Sequence, residues 1–162
     1  MRRKCEKCGK EFEAHKPHFK ICPDCYARQK KTSLSSELLL KSYYDEKSNL
    51  LKEIFIGIPE SLADFFYRDG LATKQLRDFH LVILRARNKA LLQGINAARP
   101  ILWECQRNAA YQLKRGVIPQ SFTQFLEHHL TLAEKDEKML DGFCQHLQSI
   151  LAYFPKEKGG SR

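Results

Sequence analysis

Two Cys-x-x-Cys pairs near the start of the chain constrain its fold more than any other feature. Cys5 and Cys8 form the first pair, Cys22 and Cys25 form the second, and thirteen residues separate the pairs. Two residues between thiols let both sulfurs reach one ion, and four soft thiolates in a tetrahedron suit zinc. Because such a site has no open position, the sequence predicts one structural Zn²⁺ bound by Cys5, Cys8, Cys22 and Cys25.

The same spacing leaves two alternatives open, a rubredoxin-like iron site and a redox-active thiol pair. His15 and His18 lie between the pairs, but four thiolates already complete the ligand shell, so we expect both histidines to face solvent. About thirty residues cannot build much core, and the module should therefore need its metal to fold. The predicted zinc module spans residues 1–31, and a polar linker follows at residues 32–36.

The composition of the remaining chain favours helices. Apolar residues make up 43% of the sequence, Leu, Ile and Phe dominate over Val and Thr, and there are only 8 Gly and 6 Pro. Apolar positions recur at helical spacing, which predicts an all-α fold: a helical bundle of about five to six helices over residues 37–156, with a disordered tail at 157–162. The predicted helices cover residues 38–55, 59–70, 73–94, 100–116, a stretch that begins at 119 or 121, and 136–154.

The formal net charge of +9 is concentrated in two regions. Residues 1–36 carry +6 and residues 68–115 carry +7, whereas the stretches between and after them are slightly acidic. A polyanion is the natural partner, and nucleic acid is favoured over a membrane because no segment joins the charge to a broad apolar face. No apolar run approaches the ~20 residues that cross a bilayer, so we expect a cytoplasmic protein with reduced thiols.

Two neighbouring predicted helices carry most of this second charge. On the helix at residues 73–94, an apolar stripe from Leu76 to Ala90 is predicted to face the core, and basic residues face the other way. The helix at residues 100–116 repeats this arrangement and interleaves aromatic side chains with arginines one turn apart. Such a face can stack bases and bind phosphates together. The predicted nucleic-acid contacts are Lys74, Arg77, Arg85, Arg107, Tyr111, Lys114 and Arg115.

Other conspicuous side chains have simpler interpretations. Trp103 is exposed for stacking or packs, like Tyr111, against a neighbouring helix or a second subunit. Cys105 and Cys144 lie on apolar stripes and are predicted to be core residues. We expect the histidines at positions 128 and 129 to be solvated or at the edge of the core. No P-loop, GxSxG or HExxH motif is present, so the sequence predicts neither an enzyme nor a small-molecule substrate.

Three segments share their order and spacing with one protein family. Residues 71–77 (LATKQLR) are similar to an LTTSQIR helix start, and residues 110–115 (AYQLKR) are similar to a Y-x-x-x-R segment. Residues 142–154 (GFCQHLQSILAYF) are similar to a C-terminal helix that ends in Ala-Tyr. Together these segments resemble the small helical subunit of type III-A CRISPR effector complexes, the Csm complexes.

This resemblance implies an all-helical, non-catalytic subunit present in several copies, which stack as a filament beside the subunits that carry the crRNA. It implies crRNA, target RNA and the other effector subunits as partners, and a role in holding target RNA paired to crRNA in antiviral defence. Arg77 and Arg115 match basic positions that contact RNA in the family. Members usually begin near the helices, so the resemblance assigns no role to the zinc module.

Two rival functions remain. A zinc-dependent DNA-binding transcriptional regulator would use the N-terminal module as its reader, but that module has no obvious recognition helix. A structural adaptor would instead present its basic faces to acidic proteins.

Overall fold

The computed structural model describes residues 1–26 and 34–156. They fall into two compact units, an N-terminal unit within Met1–Ser33 and a bundle within Leu34–Arg162. The tail predicted at residues 157–162 and the first part of the predicted linker, residues 32 and 33, lie outside the described residues. Within the described ranges, no helix is long and apolar enough to cross a membrane.

The N-terminal unit is a short hairpin followed by a cysteine-bearing loop. Strand β1 (Arg2–Lys4) pairs antiparallel with β2 (Glu11–Glu13), and Arg3 lies opposite Phe12. Gly9 follows Cys8 with a φ of +71°, a conformation that a residue without a Cβ adopts at little cost. Its N–H donates to the carbonyl of Cys5 at 2.9 Å, which closes the turn between the strands.

The bundle contains five α-helices within residues 34–156, so the predicted all-α fold is confirmed. Helix α5 contacts α1, α2 and α4, and α2 packs along α3. Aromatic rings fill the interior, and Phe66 lies edge-to-face on Phe122 and Phe125 with ring centroids 5.2 and 5.3 Å apart. The helices are α1 (Ile58–Arg68), α2 (Thr73–Gln93), α3 (Ile95–Lys114), α4 (Gln120–Ala133) and α5 (Glu137–Tyr153).

The predicted inward faces agree well with the buried residues. The apolar stripe predicted on α2, from Leu76 to Ala90, is buried throughout, and Cys105 and Cys144 are core residues as expected. His129 is a correction, because it is fully buried rather than solvated or at the core edge. Its Nδ1 shares a 2.5 Å hydrogen bond with the hydroxyl of Tyr43, and its ring stacks on Phe143.

The helix predicted at residues 38–55 is wrong. Its helical structure is limited to two short 3₁₀ turns, Ser36–Leu38 at its start and Lys52–Ile54 near its end. An antiparallel bridge joins Tyr44 to Leu50, and the buried side chains of Tyr43 and Ile54 anchor the segment. A turn interrupts it, because the carboxylate of Asp45 accepts 2.9 Å hydrogen bonds from the N–H groups of Lys47 and Asn49. Side chains that bond the local backbone in this way compete with helix formation.

The predicted start of a helix at Pro100 is also wrong, since α3 begins at Ile95 and contains Pro100 in its interior. Gly94, with a φ of +87°, alone separates α2 from α3. The N–H of Ile95 donates to Oε1 of Glu137 at 2.9 Å, so a side chain of α5 caps the start of α3. Pro100 is exposed, and water can bond the carbonyl that its missing N–H leaves free.

Candidate metal centre and nucleic-acid interface

The four cysteines of the N-terminal unit form one cluster, called here the cysteine quartet. The Sγ atoms of Cys5, Cys8, Cys22 and Cys25 all lie within 4.8 Å of one another. Cys8 and Cys22 are 3.7 Å apart at sulfur. Two ligands of a tetrahedral zinc with Zn–S bonds of about 2.3 Å lie about 3.8 Å apart, so this donor set fits such an ion. The quartet can therefore hold one metal ion.

Backbone amides point at these sulfurs, as a bound thiolate requires. The N–H of Cys22 donates to Sγ of Cys5 at 3.3 Å, and the N–H of Cys25 donates to Sγ of Cys22 at 3.4 Å. The first of these bonds lowers the pKa of Cys5 to about 6. The thiols of Cys8 and Cys22 raise the pKa of Cys25 to about 12, because packed sulfurs cannot all ionise without a cation among them.

The two loop histidines take no part in the quartet. His15 and His18 are both exposed, and the described groups that can hold a metal include only the four cysteines. The ring of His18 instead lies edge-on to Phe19, with centroids 4.8 Å apart.

All seven predicted nucleic-acid contacts are exposed, on α2, on α3 or at the residue that follows α3, and we call this set the basic face. Lys74, Arg77 and Arg85 come from α2, and the others come from α3 and the residue that ends it. Helices α2 and α3 are joined at Gly94 and pack along each other. A residue of α2 therefore lies beside a residue of α3 that is about as far from Gly94 along the chain. The members of the basic face are Lys74, Arg77, Arg85, Arg107, Tyr111, Lys114 and Arg115.

A cavity of about 490 Å³, called here the basic groove, lies between the two helices. It brings together three predicted contacts, Arg85 from one wall and Arg107 and Tyr111 from the other. Glu104 and Asn108 also line it, and neither was predicted. Glu104 and Asn108 can be assigned to the groove only when the packing of α2 against α3 is known, because their positions in the sequence do not show which side of α3 faces α2.

The aromatic side chains of α3 are held by polar contacts rather than buried. Tyr111 is 58% exposed, and the guanidinium of Arg115 lies 5.5 Å from its ring centroid. Trp103 is 54% exposed, and its Nε1–H donates to Glu134 at 2.9 Å. More than half of the surface of each residue is exposed in the described bundle, so neither ring is buried in its core.

Some cations of the bundle are held by contacts within the chain, whereas five cations of the basic face pair with no acidic side chain among the described residues. Arg87 is half-buried in an ion pair of 2.5 Å with Asp141, and Arg99 donates to the carbonyl of Glu134 at 2.9 Å. Lys74 pairs with Asp78 at 2.9 Å on an exposed surface. Among the described residues, no acidic side chain forms an ion pair with the remaining cations of the basic face, which are Arg77, Arg85, Arg107, Lys114 and Arg115.

The fold and the two sites define a small all-α protein with an appended cysteine module. The model of the Csm2 type III-A family matches residues 49–159, and the chain belongs to this family. It is thus a type III-A CRISPR complex subunit, which confirms the resemblance found in the sequence. The matched range includes the whole basic face and excludes the cysteine quartet. No curated protein and no solved structure matches the chain significantly.

Proposed function

We propose that this chain is a non-catalytic, RNA-binding scaffold subunit that holds target RNA paired to crRNA. Copies of the chain stack as a filament in the type III-A effector complex, and the complex acts in the cytoplasm in antiviral defence. The convergence of Arg85, Arg107 and Tyr111 in the basic groove carries the proposal. Guanidinium groups bind phosphates through charge-assisted hydrogen bonds, and an exposed tyrosine ring offers a stacking surface.

The proposed contacts are to the sugar–phosphate backbone, so binding by this subunit is largely independent of sequence. Pairing between crRNA and target supplies the sequence specificity of the whole complex. Exposed arginines without a paired acid suit this role, because no intramolecular ion pair has to break when a phosphate arrives.

Fluorescence anisotropy of a labelled single-stranded RNA, measured over a range of salt concentrations with the full chain, tests this role. Five phosphate contacts give a log–log slope of about −3.5, since each contributes about 0.7. The double variant Arg85→Ala/Arg107→Ala should bind more weakly, and its slope should flatten to about −2. A matched double variant, Arg68→Ala/Lys52→Ala, removes two exposed cations outside the basic face and should bind as the unmodified chain does.

A slope near zero, or full binding by Arg85→Ala/Arg107→Ala, would contradict the assignment. Duplex DNA of equal length separates the proposal from the regulator, which should prefer the duplex. Purification of the tagged chain from its host addresses the assembly, because a multi-subunit complex with crRNA is the expected outcome. A structural adaptor would purify without nuclease-sensitive RNA.

For the cysteine quartet we propose one structural Zn²⁺ bound by Cys5, Cys8, Cys22 and Cys25. Zinc supplies no chemistry in a closed four-thiolate shell beyond holding the loop and the hairpin together. Metal analysis of the purified chain should give one zinc per chain. Bound iron would show visible absorption from thiolate charge transfer, and an oxidised thiol pair would bind no metal, so either result would contradict zinc.

A further inference from the structure

We infer that the N-terminal unit carries a second, separate binding site, a groove that takes one unpaired nucleobase of single-stranded RNA. The groove has a volume of about 240 Å³. Four of its lining residues have aromatic rings and one is a carboxylate: Phe12, His15, Phe19, Tyr26 and Glu13. We call it the aromatic groove.

The cysteine quartet and the hairpin together position these rings. Phe12 lies on β2 and is half-buried against the cluster of Cys5, Cys22 and Cys25. Tyr26 directly follows Cys25, and its N–H donates to the carbonyl of Cys22 at 2.9 Å. The aromatic groove should therefore form only when the cysteine quartet is intact.

The loop that carries Phe19 is held from the opposite side. Arg3 on β1 donates through Nη1 to the carbonyl of Pro17 at 2.9 Å, and the N–H of Phe19 donates to the carbonyl of Lys16 at 3.1 Å. Phe19 nevertheless remains 42% exposed, so its ring is available to a ligand. A fixed backbone beneath an exposed ring lowers the entropy cost of stacking.

The size and lining of the groove suit a nucleobase. Pockets for drug-sized ligands run from about 300 to 1,000 Å³, and an α-helix is about 10 Å across, so this groove fits a flat fragment rather than a partner helix. Every nucleobase has a π-face that stacks on aromatic side chains. The carboxylate of Glu13 can accept hydrogen bonds from base N–H groups, and guanine presents two of these side by side.

Charge favours a polyanion over a cationic ligand in the same aromatic site. Residues 1–33 carry ten Lys and Arg against four Asp and Glu, a net formal charge of +6 that a zinc ion with four thiolates lowers to +4. Lys16 and Lys20 are exposed and flank Phe19 along the chain. A base stacked on Phe19 would thus bring its neighbouring phosphates close to two ammonium groups.

A six-nucleotide RNA with two central guanines, and the same strand with abasic sites there, test the inference on the full chain. Phosphate contacts of the basic face are common to both strands, and Tyr111→Ala, introduced into every protein compared, removes base stacking there. The ratio of affinities then reports recognition of the bases by the N-terminal unit. We expect the guanine strand to bind at least fivefold more tightly. The variant Phe19→Ala/Tyr26→Ala should lose this ratio, whereas Phe19→Tyr/Tyr26→Phe should keep it.

Tyr153→Ala is the matched control, because Tyr153 is 43% exposed and lies on the bundle; it should keep the ratio. Unchanged metal content of Phe19→Ala/Tyr26→Ala shows that the quartet is intact in that variant. A single 6-thioguanosine in the strand should cross-link to residues 12–26. The inference is overturned by a ratio of one in the Tyr111→Ala chain, by a ratio that survives Phe19→Ala/Tyr26→Ala, or by cross-links confined to residues 73–115. Protection of the groove on joining other subunits without RNA would assign it to a protein segment and also overturn it.

Discussion

The two units of this chain differ in what fills their interiors. The buried apolar residues of the N-terminal unit around the quartet are Cys5, Cys22 and Cys25, with Phe12 and Ile21 packed against them in part. The bundle instead buries a continuous set of large rings and aliphatic side chains from every helix. Cysteine sulfurs that face one another contribute little apolar burial, whereas each large side chain in the bundle contributes roughly 1.5–3 kcal/mol. One unit should depend on its metal, and the other should not.

The largest expected effect removes the metal ligands. Cys22→Ser/Cys25→Ser, or a strong chelator on the unmodified chain, should unfold residues 1–26, because zinc affinity is folding free energy in such small modules. Heteronuclear NMR should show these residues collapse to random-coil shifts while resonances of the bundle keep their positions.

A cysteine outside the quartet provides the control. Cys105→Ala changes a buried thiol of the bundle, so it should leave zinc content and the N-terminal resonances unchanged. A large fall in the melting temperature of the bundle on chelation would contradict the comparison, because it would show that the two units stabilise each other.

The second effect concerns the free energy of unfolding of the bundle at acid pH. Burial lowers the pKa of His146 to about 4, and burial with the nearby His146 and His128 holds the pKa of His129 well below its usual value. The Nδ1–H of His146 donates to the carbonyl of Ile54 at 3.0 Å, a bond that by itself raises the pKa, so burial is what keeps the ring neutral. The Nε2 atom, where a second proton would bind, has no partner among the described residues.

The direction of the pH dependence follows from these lowered values. Above pH 6.5 both rings are neutral in the folded and in the unfolded chain. Below it the unfolded chain binds protons that the folded chain does not, so stability falls with the pH, and the part of this fall that comes from His146 is complete at about pH 4. The shift of His146 alone corresponds to roughly 3 kcal/mol. Urea unfolding between pH 7 and 4 measures the loss, and His146→Asn should flatten the curve. An equally steep curve in that variant would contradict the role of His146.

A third, smaller effect tests the packing of the segment before α1. Gly142 in α5 lies beneath Tyr43, and a Cβ at this position would come within 2.5 Å of the Cβ of Tyr43. Alanine normally favours a helix over glycine by about 1 kcal/mol, but overpacking costs about 1–3 kcal/mol. The difference between these two terms predicts that Gly142→Ala destabilises the bundle by up to about 2 kcal/mol in urea unfolding.

Gln148→Ala on the same helix is the matched control, since Gln148 is exposed, and its effect should stay within about 0.5 kcal/mol. If Gly142→Ala stabilised the bundle, the segment around Tyr43 could shift to make room for the methyl group. That result would contradict the claim that Tyr43 anchors this segment on α5.

Local sequence patterns predicted those parts of the molecule whose causes are local. The cysteine spacing and the apolar stripe of α2 required no knowledge of distant residues, and both agree with the structure. The start of α3 at Ile95 depends on Glu137, which lies far along the chain, so no local signal reveals that cap. The turn at Asp45 is different, because the polar residues from Asp45 to Asn49 are a local turn signal. The prediction of a helix over residues 38–55 gave more weight to the spacing of the apolar residues than to this signal.

The basic face also combines features that the local sequence predicts with features that depend on distant residues. Exposure of the basic residues followed from the helical period of α2 and α3, because each helix has one face turned from the core. Their convergence in the basic groove did not follow, since it depends on how Arg85 aligns with Arg107 across Gly94. The aromatic groove was missed entirely, because the rings of Phe12, Phe19 and Tyr26 meet only after the loop closes.

The smallest expected effect on stability comes from an exposed ion pair of α2, whose loss should change RNA binding more than it changes stability. The ion pair between Lys74 and Asp78 is exposed, with side-chain exposures of 78% and 53%. Such an i,i+4 pair contributes about 0.3–0.5 kcal/mol, so Asp78→Asn should barely change the urea midpoint. The same substitution frees the ammonium of Lys74 for phosphate, so RNA affinity should rise and the salt slope should steepen by up to about 0.7.

Asp64→Asn provides the control, because Asp64 pairs with Arg68, which is not part of the basic face. Equal gains in RNA affinity from Asp78→Asn and Asp64→Asn would mean that overall charge governs binding, and the specific role of the basic face would then be wrong.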